Sequence, residues 1–239
     1  MNKLLLLPVV LSAFFILSAC NSKSSIEGLW VVKQVKVGDR EMTPNARWMR
    51  FNSDSTQQSG NGWYQHSYGK WTMKMNNDVQ ELKVTDENGT TDPYEAFKVA
   101  IENNSMTWTR TEDGENVEVT LEKSEQLPAT FSDKILGLWK LEEAIGEGEY
   151  FSQNENDPTS DYIFFRWDKR FVLNSKKGKI NGVYNVNGHK PEVELIPDSG
   201  QMKRNFWQID FEENAITLKS VNTDSLVSRR FVRIHEFPQ

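Results

Sequence analysis

The sequence predicts an all-β protein: two tandem antiparallel up-and-down barrels of about eight strands each, behind an N-terminal export signal. Three observations carry this. Apolar side chains alternate with polar ones along short runs, turn dipeptides interrupt the runs about every 8–12 residues, and the body of the chain repeats itself once.

The export signal comes first. Residues 1–19 hold one charge, Lys3, followed by an apolar run from Leu4 to Leu17 broken by Pro8 and Ser12. A helix needs roughly 20 apolar residues to cross a bilayer, so this shorter run reads as a signal peptide. It ends in Leu17-Ser18-Ala19-Cys20, which contains the chain's only cysteine and resembles the lipobox of bacterial lipoproteins. The resemblance implies cleavage before Cys20, diacylglycerol on its thiol and an acyl chain (palmitate) on the freed amino group. Several acyl chains hold a protein on a membrane where one does not. Residues 20–25 then form a lipidated tether. In Gram-negative lipoproteins an aspartate after the lipidated cysteine often retains the protein at the inner membrane. Asn21 stands there instead, which implies the outer membrane, and without an acidic run to follow it, the periplasmic face, with the cell surface as the alternative.

With Cys20 lipidated, no disulfide is available even in an oxidising compartment, so burial must stabilise the body. Loss of Lys3 takes the formal charge from −6 to −7. The charges are interspersed without a basic block, which argues against nucleic acid as a partner.

The repeat defines two domains. Ile26-Glu27-Gly28-Leu29-Trp30 recurs as Ile135-Leu136-Gly137-Leu138-Trp139, an offset of 109. The segment from Leu82 to Gly89 recurs from Val193 to Gly200 at an offset of 111, and Phe97 to Met106 recurs from Trp207 to Ile216 at 110. Three matches in order at a nearly constant offset give domains at 26–124 and 135–237. The stretch 125–134 between them is polar, contains Pro128 and reads as a linker.

Within the domains Trp71, Met73 and Met75 alternate with Thr72 and Lys74, and Val117, Val119 and Leu121 with Glu118, Thr120 and Glu122. The second copy places Trp207, Ile209 and Phe211 against Gln208 and Asp210. This is the pattern of antiparallel strands with one buried face. Asn88-Gly89, Asp113-Gly114, Lys177-Gly178 and Asn187-Gly188 supply turns. Consecutive hairpins whose edges must be covered favour closure into a barrel, with a sandwich as the alternative.

Gly-x-Trp opens both copies, as Gly28-Leu29-Trp30 and Gly137-Leu138-Trp139. It resembles the opening motif of lipocalins, and the whole chain is similar to the lipocalin-like lipoproteins of Gram-negative bacteria. The resemblance implies structural roles: Gly28 and Gly137 let the chain enter the barrel closely, and Trp30 and Trp139 pack across its closed end. It also implies a basic residue over each tryptophan, with Arg110 the candidate in copy one and Arg229, Arg230 or Arg233 in copy two. The copies are shorter than ligand-carrying lipocalins, which argues against a roomy lumen.

No catalytic constellation is present. His66, His189 and His235 are isolated from other ligand types and read as exposed or structural. Nucleophile elbows, phosphate loops and calcium loops are absent, and the acidic stretch from Glu155 to Asp161 reads as a hairpin loop. The aromatics of both copies are what small barrels need to fill their own interiors. Asp161 to Trp167 carries bulky residues on both faces, so one face is expected to pack on the other copy. The expectation is a non-enzymatic, membrane-anchored lipoprotein without metal or cofactor, binding a small hydrophobic ligand through residues the sequence does not identify. The alternative is an assembly module with filled barrels serving an outer-membrane protein complex.

Cys20→Ser is expected to abolish incorporation of labelled fatty acid and to leave the protein uncleaved or soluble. Labelled fatty acid in the variant would contradict the lipobox reading.

Overall fold

The computed structural model describes residues 25–89, 91–146, 161–175, 178–200, 202–221 and 227–238. The signal segment, Cys20 and most of the acidic stretch lie outside these residues.

The first domain contains β1 (Gly28–Val37), β2 (Arg40–Met42), β3 (Arg47–Phe51), β4 (Thr56–Asn61), β5 (Tyr64–Asn76), β6 (Val79–Asp86), β7 (Phe97–Glu102), β8 (Ser105–Glu112) and β9 (Glu115–Ser124). Each strand from β3 to β9 pairs antiparallel with the next, and β9 returns to β1 from Leu29↔Ser124 to Val37↔Val117. Eight strands therefore close. β2 is a short extra ribbon on the far end of β1, pairing Val35–Val37 beyond the reach of β3.

One helical turn follows, α1 (Phe131–Ile135), in the stretch read above as an unstructured linker. Thr130 and Asp133 form a reciprocal capping box around it, satisfying amide groups that so short a helix would otherwise leave open. The second domain contains β10 (Gly137–Ile145), β11 (Tyr162–Phe165), β12 (Arg170–Ser175), β13 (Gly178–Val186), β14 (Glu192–Pro197), β15 (Asn205–Phe211), β16 (Ala215–Ser220) and β17 (Ser228–Ile234), all in one closed barrel. The architecture is two closed antiparallel eight-stranded barrels in tandem.

The copies share their register. Gly28 pairs with Phe51 and Trp30 with Met49; likewise Gly137 pairs with Phe165 and Trp139 with Ile163. The closing ladder carries a bulge between Val32 and Gln34 in one copy and between Leu141 and Glu143 in the other, at the offset of the opening repeat.

Both barrels are plugged at the same end. Trp30 and Trp139 are fully buried, and each indole donates to a carbonyl four residues back, Ile26 O at 2.6 Å and Ile135 O at 2.7 Å. A cation covers each ring. In the second barrel it is Arg233, 4.0 Å from the Trp139 ring centre and donating to Leu136 O at 2.7 Å and Lys134 O at 3.1 Å. In the first it is Lys123, 5.5 Å from Trp30, and not Arg110. Arg110 sits far along β8, pairing Val117 opposite the other end of β1, so it cannot reach Trp30. Gly28 and Gly137 make room for the cations: their φ angles are 117° and 120°. A Cβ on Gly28 would touch Lys123 Cε at 3.0 Å, and one on Gly137 would collide with the Arg233 guanidinium.

The outward face of β11 does not pack on the other barrel as expected. Tyr162 and Phe164 each meet Phe237 edge-on at 5.5 Å, so the chain's own C-terminal segment covers them, and Trp167 is exposed.

Alanine at Gly28 or Gly137 forces a side chain into the left-handed region, at about 1–3 kcal/mol each. Gly137→Ala is expected to lower the melting temperature further, because Arg233 is held by two carbonyls while Lys123 has a flexible end. Equal losses in thermal melts would contradict this packing account.

Candidate functional site: the lumen of the first barrel

Shared register allows the two interiors to be compared position by position. The second barrel turns Phe171, Leu173, Ile180, Leu195 and Phe231 inward, all fully buried. The pairings Phe171↔Gly182 and Leu173↔Ile180 correspond to Gln57↔Gly69 and Ser59↔Ser67 in the first. By the same logic Leu195 corresponds to Val84, Phe231 to Leu121 and Arg229 to Val119. At Ser59, Ser67, Val84 and Val119 the first barrel carries the shorter side chain, while Trp108 stands where the second has Leu218.

The consequence is a cavity of about 470 Å³ in the first barrel, at the end away from Trp30. Its walls are Val32, Val35, Val84, Phe97, Trp108 and Val119, the loop from Met42 to Asn45 lies over it, and Arg47 and Asn61 stand at its mouth. His189, in the turn between β13 and β14 of the second barrel, completes the rim. The expectation of filled interiors therefore holds for the second barrel and fails for the first. The reason is side-chain size at Val84 and Val119, which line the cavity where the second barrel carries Leu195 and Arg229.

The mouth is polar. Arg47 shares the inward face of β3 with Met49 and Phe51, which belong to the core. Its guanidinium donates to Ser59 Oγ at 3.3 Å and contacts His66 Nε2. His66 is the residue that β5 inserts between two pairings, Ser59↔Ser67 and Gly60↔Gln65. Such a bulge re-aims a side chain, here toward Arg47. Asn61 Oδ1 lies 2.9 Å from the same ring nitrogen. The two contacts demand opposite states of Nε2: it accepts from Arg47 only when unprotonated and donates to Asn61 only when protonated. Burial, and then the Arg47 charge, hold the His66 pKa below its ordinary value, while Asp86 pulls it upward. The neutral ring is thereby favoured, and of its two tautomers the one protonated at Nδ1 accepts from Arg47. Burial also lowers the Arg47 pKa, opposed by Asp86. The Asp86 carboxylate is itself engaged by Gln57 Nε2 at 2.6 Å.

Among the described residues, three buried polar atoms of this barrel have no hydrogen-bond partner: Gln57 Oε1, Ser67 Oγ and Trp108 Nε1. Arg110, the other inward arginine, is fully engaged, with Asp92 at 2.6 Å, Glu112 at 2.5 Å and the Phe97 ring beneath it at 3.9 Å.

The residues singled out from the sequence fall elsewhere. Gly28, Trp30, Gly137 and Trp139 form the plugged ends, Cys20 lies outside the described residues, and His235 is exposed beyond β17. His66 and His189 are exposed as expected, but both stand at the cavity mouth, which the sequence reading did not foresee. Among the described residues no group of three side chains converges as metal ligands. Arg47, Trp108 and Val119 were missed as site residues, and His66 was read only as exposed or structural. For Val119 the signal is its exchange with Arg229 of copy two, visible only once the register is known.

Compared with known proteins, the chain matches no family model, no curated protein and no solved structure.

Proposed function

We propose that this protein is a membrane-anchored, non-enzymatic binding lipoprotein of lipocalin-like build. Its first barrel takes a small ligand with an apolar body, and its second is a solid structural module. The observation that carries the reading is the cavity of about 470 Å³, within the span of roughly 300–1,000 Å³ typical of small-molecule sites. Its walls are apolar and its few polar groups sit at the mouth, the usual division between affinity and orientation. Anchoring rests on Leu17-Ser18-Ala19-Cys20, and the outer-membrane location on Asn21. The partners of His66 at the mouth are Arg47 and Asn61, neither of them a nucleophile, which fits a binding site better than a catalytic one.

An interaction role has its own observation. Trp63, Tyr64 and Tyr68 on the β4–β5 hairpin are 72%, 59% and 49% exposed, and aromatics of this kind are enriched where proteins dock.

A neutral apolar fluorophore such as N-phenylnaphthylamine is expected to bind the chain one-to-one and quench tryptophan fluorescence through Trp108. Val119→Trp fills the cavity and is expected to remove binding while the cooperative melt persists. Undiminished binding to a folded Val119→Trp protein would place the ligand elsewhere.

A further inference from the structure

We propose that the ligand of the first barrel carries an anionic head of the carboxylate class on its apolar body, and that Arg47 receives that head. The inference rests on the cavity being a ligand site and names what the site selects.

Two arginines turn into the open end of this lumen, and they differ in one respect. Arg110 already holds two carboxylates, Asp92 and Glu112. Among the described residues Arg47 forms no ion pair; its side-chain partners are the Ser59 hydroxyl and the His66 ring. A guanidinium offers five donors and no acceptor, and it stays charged. Set against an apolar wall without a directly paired counter-charge, such a cation is costly for the fold. The chain answers this cost at Arg110 with two ion-paired acids and at Arg47 with none. Asp86 acts on Arg47 through its charge alone, and its carboxylate accepts from Gln57 instead.

Trp108 is 5% exposed and lines the same cavity as part of its apolar wall. Among the described residues, Arg47 thus offers the cavity mouth a cation that forms no ion pair. A carboxylate answers that demand, since its two oxygens accept from a guanidinium in matched pairs and its charge compensates the cation. A cationic head would be repelled by Arg47, and a sugar would leave its hydroxyls against Val84 and Val119.

The position of Arg47 fits a head group more than a body. It stands at the mouth beside Asn61, so the apolar body points inward toward Trp108 and the head stays near solvent. In the second barrel the register puts Asp161 at this position, where an anion would be repelled, so the selectivity belongs to the first barrel alone.

The test compares decanoate, decanol and decyltrimethylammonium, three probes with one chain length and different heads, by titration calorimetry. The full chain carries Cys20→Ser so that no membrane lipid competes. Decanoate is expected to bind at least about tenfold more tightly than decanol, as one charge-assisted pair provides, and the ammonium probe more weakly than either. Arg47→Met is expected to erase the preference while leaving decanol binding in place, and Arg47→Lys to keep part of it. Equal binding of decanoate and decanol, or a preference that survives in Arg47→Met, overturns the anionic head and leaves the apolar cavity standing. If neither decanoate nor decanol binds, the cavity reading falls with it.

Discussion

Everything in this molecule depends on the pairing of each domain's last strand with its first. β9 on β1 and β17 on β10 remove the open edges that a row of hairpins would otherwise expose. Closure fixes the number of strands, and eight strands enclose a space that side chains can just fill. The plugged end follows from the same pairing. Because Trp30 faces Lys123 and Trp139 faces Arg233 across the closing ladder, the cation reaches the indole only when the barrel is shut. Gly28 and Gly137 are needed where they stand because the cation occupies the space of their missing side chains.

With the frame fixed, the interior is decided residue by residue. Arg229 in the second barrel is buried and held by Ile145 O at 2.6 Å, Ser228 O at 2.7 Å and Gly146 O at 3.2 Å. Together with Phe231, Leu173 and Ile180 it fills the lumen. The first barrel has Val119, Leu121, Ser59 and Ser67 at those positions. Burying a large apolar side chain stabilises by about 1.5–3 kcal/mol, so the first barrel gives up stabilisation that the second keeps. One copy of a repeated fold encloses a cavity, and the other is its packed counterpart. This division ties the proposed ligand to Arg47, which stands inward at the mouth of the first barrel's cavity.

The frame was legible in the sequence because its signals are local. Alternation along Val117–Leu121 and Trp207–Phe211, and Gly-x-Trp at both openings, require no knowledge of distant contacts. The repeat was legible only at its ends and late strands, where the offset stays at 109 to 111. Between them the register puts Met49 against Ile163 and Gln57 against Phe171, an offset of 114, because the copies differ in length between their first and second barrel strands. Gln57, Ser59 and Ser67 lie in that shifted region, so simple comparison at 109 to 111 passed over them. Val84 and Val119 keep the offset, and their exchange for Leu195 and Arg229 has meaning only once the inward face is known. Arg47 gave no local signal: a lone arginine between Ala46 and Trp48 reads as surface until the register turns it inward. His66 was hidden for a related reason, since a bulge breaks the alternation on which the reading relies. The α1 cap did have a signal, Thr130 with Asp133 three residues on, in a stretch whose polarity pointed to a linker.

The account stands on one barrel being hollow and the other solid within a shared register. Diffraction from crystals of the full chain under xenon pressure tests this most directly, since xenon enters apolar cavities and reports their position. The account predicts xenon inside the first barrel, between Val84, Trp108 and Val119, and none among Leu173, Ile180 and Phe231 of the second. Xenon in the second lumen, or a first lumen closed to it, would contradict the account.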